Sequence, residues 1–132
     1  MYNMKATTKE LDLVAETILE HLGGEEFRRM TGARDLLSTA EAKGARTYLR
    51  HGVLYRELVH GLMFKCTKGK DGIDKVVIRH DKELDLYDIE FWNMNKFPKK
   101  PTGVGSLDYV HGRDLRDVFT ANTGLPTKEM GE

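Results

Sequence analysis

The spacing of apolar positions changes along the chain, and each change marks a new element. Leu11, Val14, Ile18 and Leu22 recur every three or four residues, the repeat of one helical face. Thr7 and Glu10 stand ahead of them at capping-box spacing, and Gly23-Gly24 supplies the stop. Residues 25–32, "EEFRRMTG", read as one more short helical turn. Its two glutamates sit where a helix dipole favours negative charge, Phe27 and Met30 share a face, and Gly32 ends it.

Residues 33–61 have a mixed pattern. "STAEAKGARTYLR" has a helix-forming composition with Ser38 or Thr39 as cap, and it reads as a helix near 39–50, interrupted by Gly44. "GVLYRELVHG" fits a helix or a strand equally well. From residue 62 the period becomes two. Leu62, Phe64 and Cys66 point one way; Val76, Ile78 and His80 follow on a second run after a turn at Asp71-Gly72; Tyr87, Ile89 and Phe91 form a third. The opposite faces carry Met63 and Lys65, then Lys75, Val77 and Arg79, then Leu86, Asp88, Glu90 and Trp92. "NKFPKKPTGVGS" reads as a loop because its prolines deny a ladder its donors. A last helix near 109–122 presents Leu115, Val118 and Phe119, with Asp108 as cap and Gly124-Leu125-Pro126 as stop.

This order predicts an α+β fold: an antiparallel meander of three or more strands, covered on one face by the N- and C-terminal helices. The length of 132 residues suits a single domain over 1–132, with 38–61 as an insertion and 126–132 as a flexible tail. No apolar run approaches the ~20 residues needed to span a bilayer, so no membrane role and a cytoplasmic location are expected. One cysteine, Cys66, excludes an internal disulfide and a multi-cysteine zinc site. The net charge of zero argues against a general nucleic-acid binder but leaves room for a local basic patch.

Four stretches in this order, "TILEHLGGEEFRRMTGARDL", "GIDKVVI", "DLYDIEF" and "LRDVFTANTGL", resemble a family of small uncharacterised proteins encoded by bacteriophages and other mobile elements. The resemblance covers residues 17–36 and most of 62–125. It departs at 38–61, where a short hairpin is expected, and at 97–108, which is longer than usual. It implies a phage or plasmid origin and action by binding host machinery, and it carries over no catalytic residue.

Candidate chemistry is sparse. Asp88 and Glu90 share a strand face about 7 Å apart, given a rise of ~3.3 Å per residue. Such a pair could hold a divalent cation, but the acid-x-Lys of a metal-dependent nuclease is missing, since Phe91 and Trp92 follow Glu90. Glu41-Ala42-Lys43 has that tripeptide in a helical context that would misdirect it. His21, His51, His60, His80 and His111 form no i, i+4 pair and no HExxH. A Cys66–His80 dyad on neighbouring strands is conceivable, but the register sets the two near opposite ends. The glycine pairs at 23–24 and 103/105 match no phosphate loop.

Two surfaces remain. Trp92, Lys96, Phe97, Lys99 and Lys100 put cations beside aromatics, a mix that suits single-stranded nucleic acid, and Lys65, Lys68, Lys70, Lys75 and Arg79 would extend it if their faces align. Met63, Val77, Leu86 and Trp92 fall on the sheet face away from the core. They call for a second covering layer from 38–61, for a partner, or for dimerisation through this face or an edge strand. The reading is a binding protein that needs no cofactor or metal. It contacts a host protein complex, a defence system among the candidates, through 38–61 and the Trp92–Pro101 segment. The alternative is a nucleic-acid-binding module using 96–100, and a metal-dependent hydrolase is a distant third.

Overall fold

In the computed structural model, residues 11–96 and 98–128 are described, and within them the side chains of 43–46 are left aside. Helices α1 (Leu13–Leu22) and α2 (Gly24–Thr31) open the fold. Five strands follow: β1 (Arg34–Arg50), β2 (Val53–Lys65), β3 (Lys75–Asp81), β4 (Leu86–Asn93) and β5 (Thr102–Val110). Helix α3 (Leu115–Thr123) closes it. The strands hydrogen-bond in sequence order, each antiparallel to the next. The fold is α+β, a meander with helices from both ends of the chain.

The period-two reading of 62–92 sets the core. Leu62, Phe64, Val76, Ile78, Tyr87, Ile89 and Phe91 are all buried on one sheet face. Against them pack Ala15, Ile18 and Leu22 of α1, Phe27 of α2, and Leu115 and Phe119 of α3. Phe27 meets Phe64 edge-on at 5.5 Å between centroids and Phe119 at 5.1 Å. Such pairs add about 1 kcal/mol each beyond their buried area, so these rings lock both ends of the chain to the sheet. The N-cap of α1 is Asp12, whose carboxylate accepts the Ala15 N–H at 2.9 Å. The Thr7/Glu10 capping box lies outside the described residues.

Three expectations are corrected. Residues 39–50 are strand, not helix: most of β1 pairs with β2, and the tertiary ladder overrides the helical composition of "AEAKGAR". Residues 102–110 are strand β5 rather than loop, pairing with β4 from Asn93↔Thr102 to Tyr87↔Val110. Asp108 therefore lies within a strand and caps nothing; α3 starts at Leu115, after a turn of 3-10 helix at Gly112–Asp114. At the other end, Thr127 is buried, and its carbonyl and hydroxyl accept hydrogen bonds from Arg116, which also pairs with Glu26.

Residues 38–61 do not make a second layer over the open face. They continue the sheet as two strands much longer than the rest, of 17 and 13 residues. Beyond Gly61↔Arg79 β2 has no further pairs to β3, while β1 and β2 stay paired to Arg50↔Val53. The pair thus leaves the body as a two-stranded ribbon. Its tip is a two-residue turn in which His51 (φ 53°) and Gly52 (φ 77°) are both left-handed, the turn whose twist matches a hairpin.

Candidate functional site

The ribbon's apolar side chains are the most exposed apolar group in the described structure. Leu49 is 72% exposed and Leu54 67%; Tyr48, Val53, Tyr55 and Leu58 are each exposed by two fifths or more. Cross-strand pairing sorts them. Tyr48↔Tyr55 and Arg50↔Val53 lie on one ribbon face, and the two tyrosine rings stack at 5.5 Å. Leu49↔Leu54 lie on the other with Leu58, four residues along from Leu54 and so in the same phase. An even phase along β2 puts Leu54 and Leu58 on the side of buried Leu62, and Tyr55 and Val53 on the side of Met63. At the ribbon's root the register shifts: residues 42–45 of β1 stand opposite Leu58 alone between Glu41↔Val59 and Arg46↔Glu57, an irregularity of the kind that bends a strand. Between 42 and 58 the chain carries Lys43, Arg46, Arg50 and Arg56 against one carboxylate, Glu57, so the ribbon is basic in a chain of zero net charge.

The open sheet face below the ribbon is ordered by an ionic row. Arg79 of β3 donates from Nε and Nη2 to both oxygens of Glu41 on β1 (2.8 and 3.2 Å) and from Nη1 to Glu90 on β4 (2.7 Å). Glu90 also accepts from the indole Nε1 of Trp92 at 3.1 Å. Gly61 makes the long reach possible: it stands between Thr39 and Arg79 in the ladder and puts no side chain in the way. These hydrogen bonds hold the Arg79 guanidinium far above its ordinary pKa. With Met63, Lys75 and Val77 the row lines a shallow groove of about 460 Å³. Val77 is buried here, and Met63, Leu86 and Trp92 are partly so.

Asp88 also faces this side. Its carboxyl is raised above the usual carboxylate range by burial and then by Asp108, with Arg79 opposing and Asp81 and Glu90 adding. Asp81 itself accepts the Glu83 and Leu84 N–H groups in the β3–β4 turn. The end of the sheet from which the ribbon departs is thus acidic on its open face.

The residues singled out from the sequence scatter. Trp92 is only partly exposed, packed beside Gly103 with its N–H committed to Glu90. Lys96, Lys99 and Lys100 are exposed on a tight loop, where Asn95 donates to the Lys100 carbonyl at 2.7 Å and Lys99 N–H donates to the Lys96 carbonyl at 2.9 Å. Phe97 lies outside the described residues. The wider lysine patch does not assemble: Lys65 faces Asp35, Lys70 donates to the Ala121 carbonyl, and Arg79 is neutralised in its row. Asp88 and Glu90 share the open face as expected, but Glu90 is engaged by Arg79 and Trp92, and among the described residues no three His, Cys, Asp or Glu converge on a metal-sized space. Cys66 is buried and its thiol is pushed up to about 11 by burial, so it is not a nucleophile near neutrality. His80, at the far end of β3, pairs with Asp85 at 2.9 Å.

The ribbon tip is the group that the sequence reading did not resolve, although it fell inside 38–61. The signal was there: "TYLR" and "VLYREL" flank a His-Gly dipeptide that fits a two-residue hairpin turn. Among the described residues no helix is long and apolar enough to cross a membrane. Comparison with protein-family models, with curated proteins and with solved structures gave no match.

Proposed function

We propose that this chain is a phage or mobile-element accessory protein that works by binding, not catalysis. It acts in the cytoplasm of the bacterial host by docking the ribbon tip on a host protein complex, a defence assembly among the candidates. The observation that carries the reading is the ribbon itself. Six large apolar side chains stand exposed along a projection that adds nothing to the core. Burying one such side chain contributes roughly 1.5–3 kcal/mol, so a free tip leaves a large driving force unspent. A groove lined by apolar groups fits the Leu49, Leu54 and Leu58 face, and the ribbon's arginines favour an acidic rim around it.

The nucleic-acid reading rests on the exposed Lys96, Lys99 and Lys100 and on the basic ribbon. It is the weaker one, because exposed leucines gain little from phosphates and the other lysines are dispersed. Affinity capture of tagged protein from host lysate treated with nuclease tests both. The protein-binding reading expects a stoichiometric protein band. A lane that is empty with nuclease but yields nucleic acid without it overturns that reading in favour of the lysines.

A further inference from the structure

The two ribbon faces differ. Leu49, Leu54 and Leu58 make one apolar; the other combines Tyr48, Val53 and Tyr55 with the exposed Arg50. This second face continues the open face of the sheet, where Asp88 and Asp108 crowd each other at the ribbon's own root. Continued past Gly61↔Arg79, the register sets Val59 opposite Asp81, so Arg50 and Val53 lie roughly 20 Å beyond that point at ~3.3 Å per residue. Arg50 therefore cannot reach the carboxylates of its own chain. In a second copy turned end for end, the same ribbon passes over that acidic end.

We propose that two copies of this chain associate reciprocally, the Tyr48/Tyr55 face of each ribbon seated on the other's open sheet face, with Arg50 against Asp88 and Asp108. Apolar contacts are ready there: Leu86 is partly exposed on the same end, and Tyr109 stands 70% exposed in the register shift of β5 beside it. Charge complements charge: the Tyr48/Tyr55 face carries Arg50 at its tip, its Glu57 is already paired with Lys82 of the β3–β4 turn at 3.1 Å, and the receiving end is acidic. The area suffices. With Tyr48, Tyr55, Val53 and Arg50 each offering on the order of 100 Å² and a matching area on the receiving face, two reciprocal seatings bury on the order of 1,600 Å² in total, the size of a stable interface. This contact rests on the ribbon being a docking element, but it leaves the Leu49 face free, so a dimer still presents its leucines to a host partner.

Sedimentation equilibrium of the purified full chain, with Arg50→Glu and Asp108→Lys, tests it. Both positions are exposed, and circular dichroism verifies each fold. The wild type is expected to be a dimer of the 15.1 kDa chain that weakens with salt. Each variant alone places like charges in both seatings and associates roughly tenfold or more weakly. Mixed in equal amounts they form a heterodimer in which both seatings pair opposite charges, and the wild-type affinity returns. A wild type that stays monomeric at high concentration overturns the proposal. So do variants that dimerise as well alone as together. Host capture through the Leu49 face is read separately, so either result stands without the other.

Discussion

Arg79 offers the sharpest test of how the open face is held. Replacing it by Met keeps the aliphatic stem over the sheet but removes three charge-assisted hydrogen bonds and leaves Glu41 and Glu90 facing each other's charge. Arg79 is 17% exposed and its partners 30% and 27%. An exposed pair contributes about 0–1 kcal/mol, and breaking a buried one costs about 3–5. The partial exposure discounts the larger figure, which puts Arg79→Met at about 2 kcal/mol. For a chain of this length that is a fall in melting temperature of about 7 °C, at an unfolding entropy near 2 cal/mol/K per residue. Thermal and urea unfolding followed by circular dichroism give the value. The triple variant Arg79→Met/Glu41→Gln/Glu90→Gln should recover most of the loss, because no carboxylate is then left without its cation. A single variant that melts within 1 °C of wild type, or a triple variant no better than the single, would refute this account of the row.

Two further predictions concern the sheet. Gly61→Ala is expected to cost roughly 1–3 kcal/mol, because its Cβ would run into the Ile78 carbonyl oxygen on β3, whereas Gly105→Ala on open β5 should stay within about 0.5 kcal/mol; urea midpoints of the two decide it. Cys66 gives a pH signature. Its folded pKa, raised to about 11 from 9.0, means its contribution is fully present below pH 9 and is lost between about pH 9 and 11. A shift of this size is worth roughly 3 kcal/mol. Cys66→Ala should flatten that alkaline limb of the stability profile, and an unchanged limb would contradict the assignment.

The strand phases of β2, β3 and β4 were legible because those strands bury one face, which writes itself as strict alternation. Leu62/Phe64, Val76/Ile78 and Tyr87/Ile89/Phe91 all point where their spacing says. β5 was not legible for the same reason in reverse. Eight of its nine residues are exposed, and it mixes glycine, serine and threonine with single apolar groups, so no periodicity marks it. In β1, alanine, glutamate and lysine argue locally for a helix, and only the partner strand decides otherwise. The ribbon was hidden too, since its exposed leucines and tyrosines look like core until a fold shows them on a projection away from it. The carboxylates were placed on the correct face, but that Arg79 would also reach across β2 to Glu41 depended on Gly61 leaving a gap between them.

The central claim is that the ribbon's leucine face binds a host protein, and its most direct test is the affinity of the captured partner for two variants measured beside wild type. Leu49→Ser/Leu54→Ser removes two side chains that are mostly solvent-exposed in the free protein, so the fold should hold while binding falls about 100-fold, the equivalent of 2–3 kcal/mol at an interface centre. Lys96→Glu/Lys99→Glu/Lys100→Glu should leave that affinity nearly unchanged. Undiminished binding by the leucine variant, with loss in the lysine variant, would contradict the account and move the working surface to the loop after Trp92.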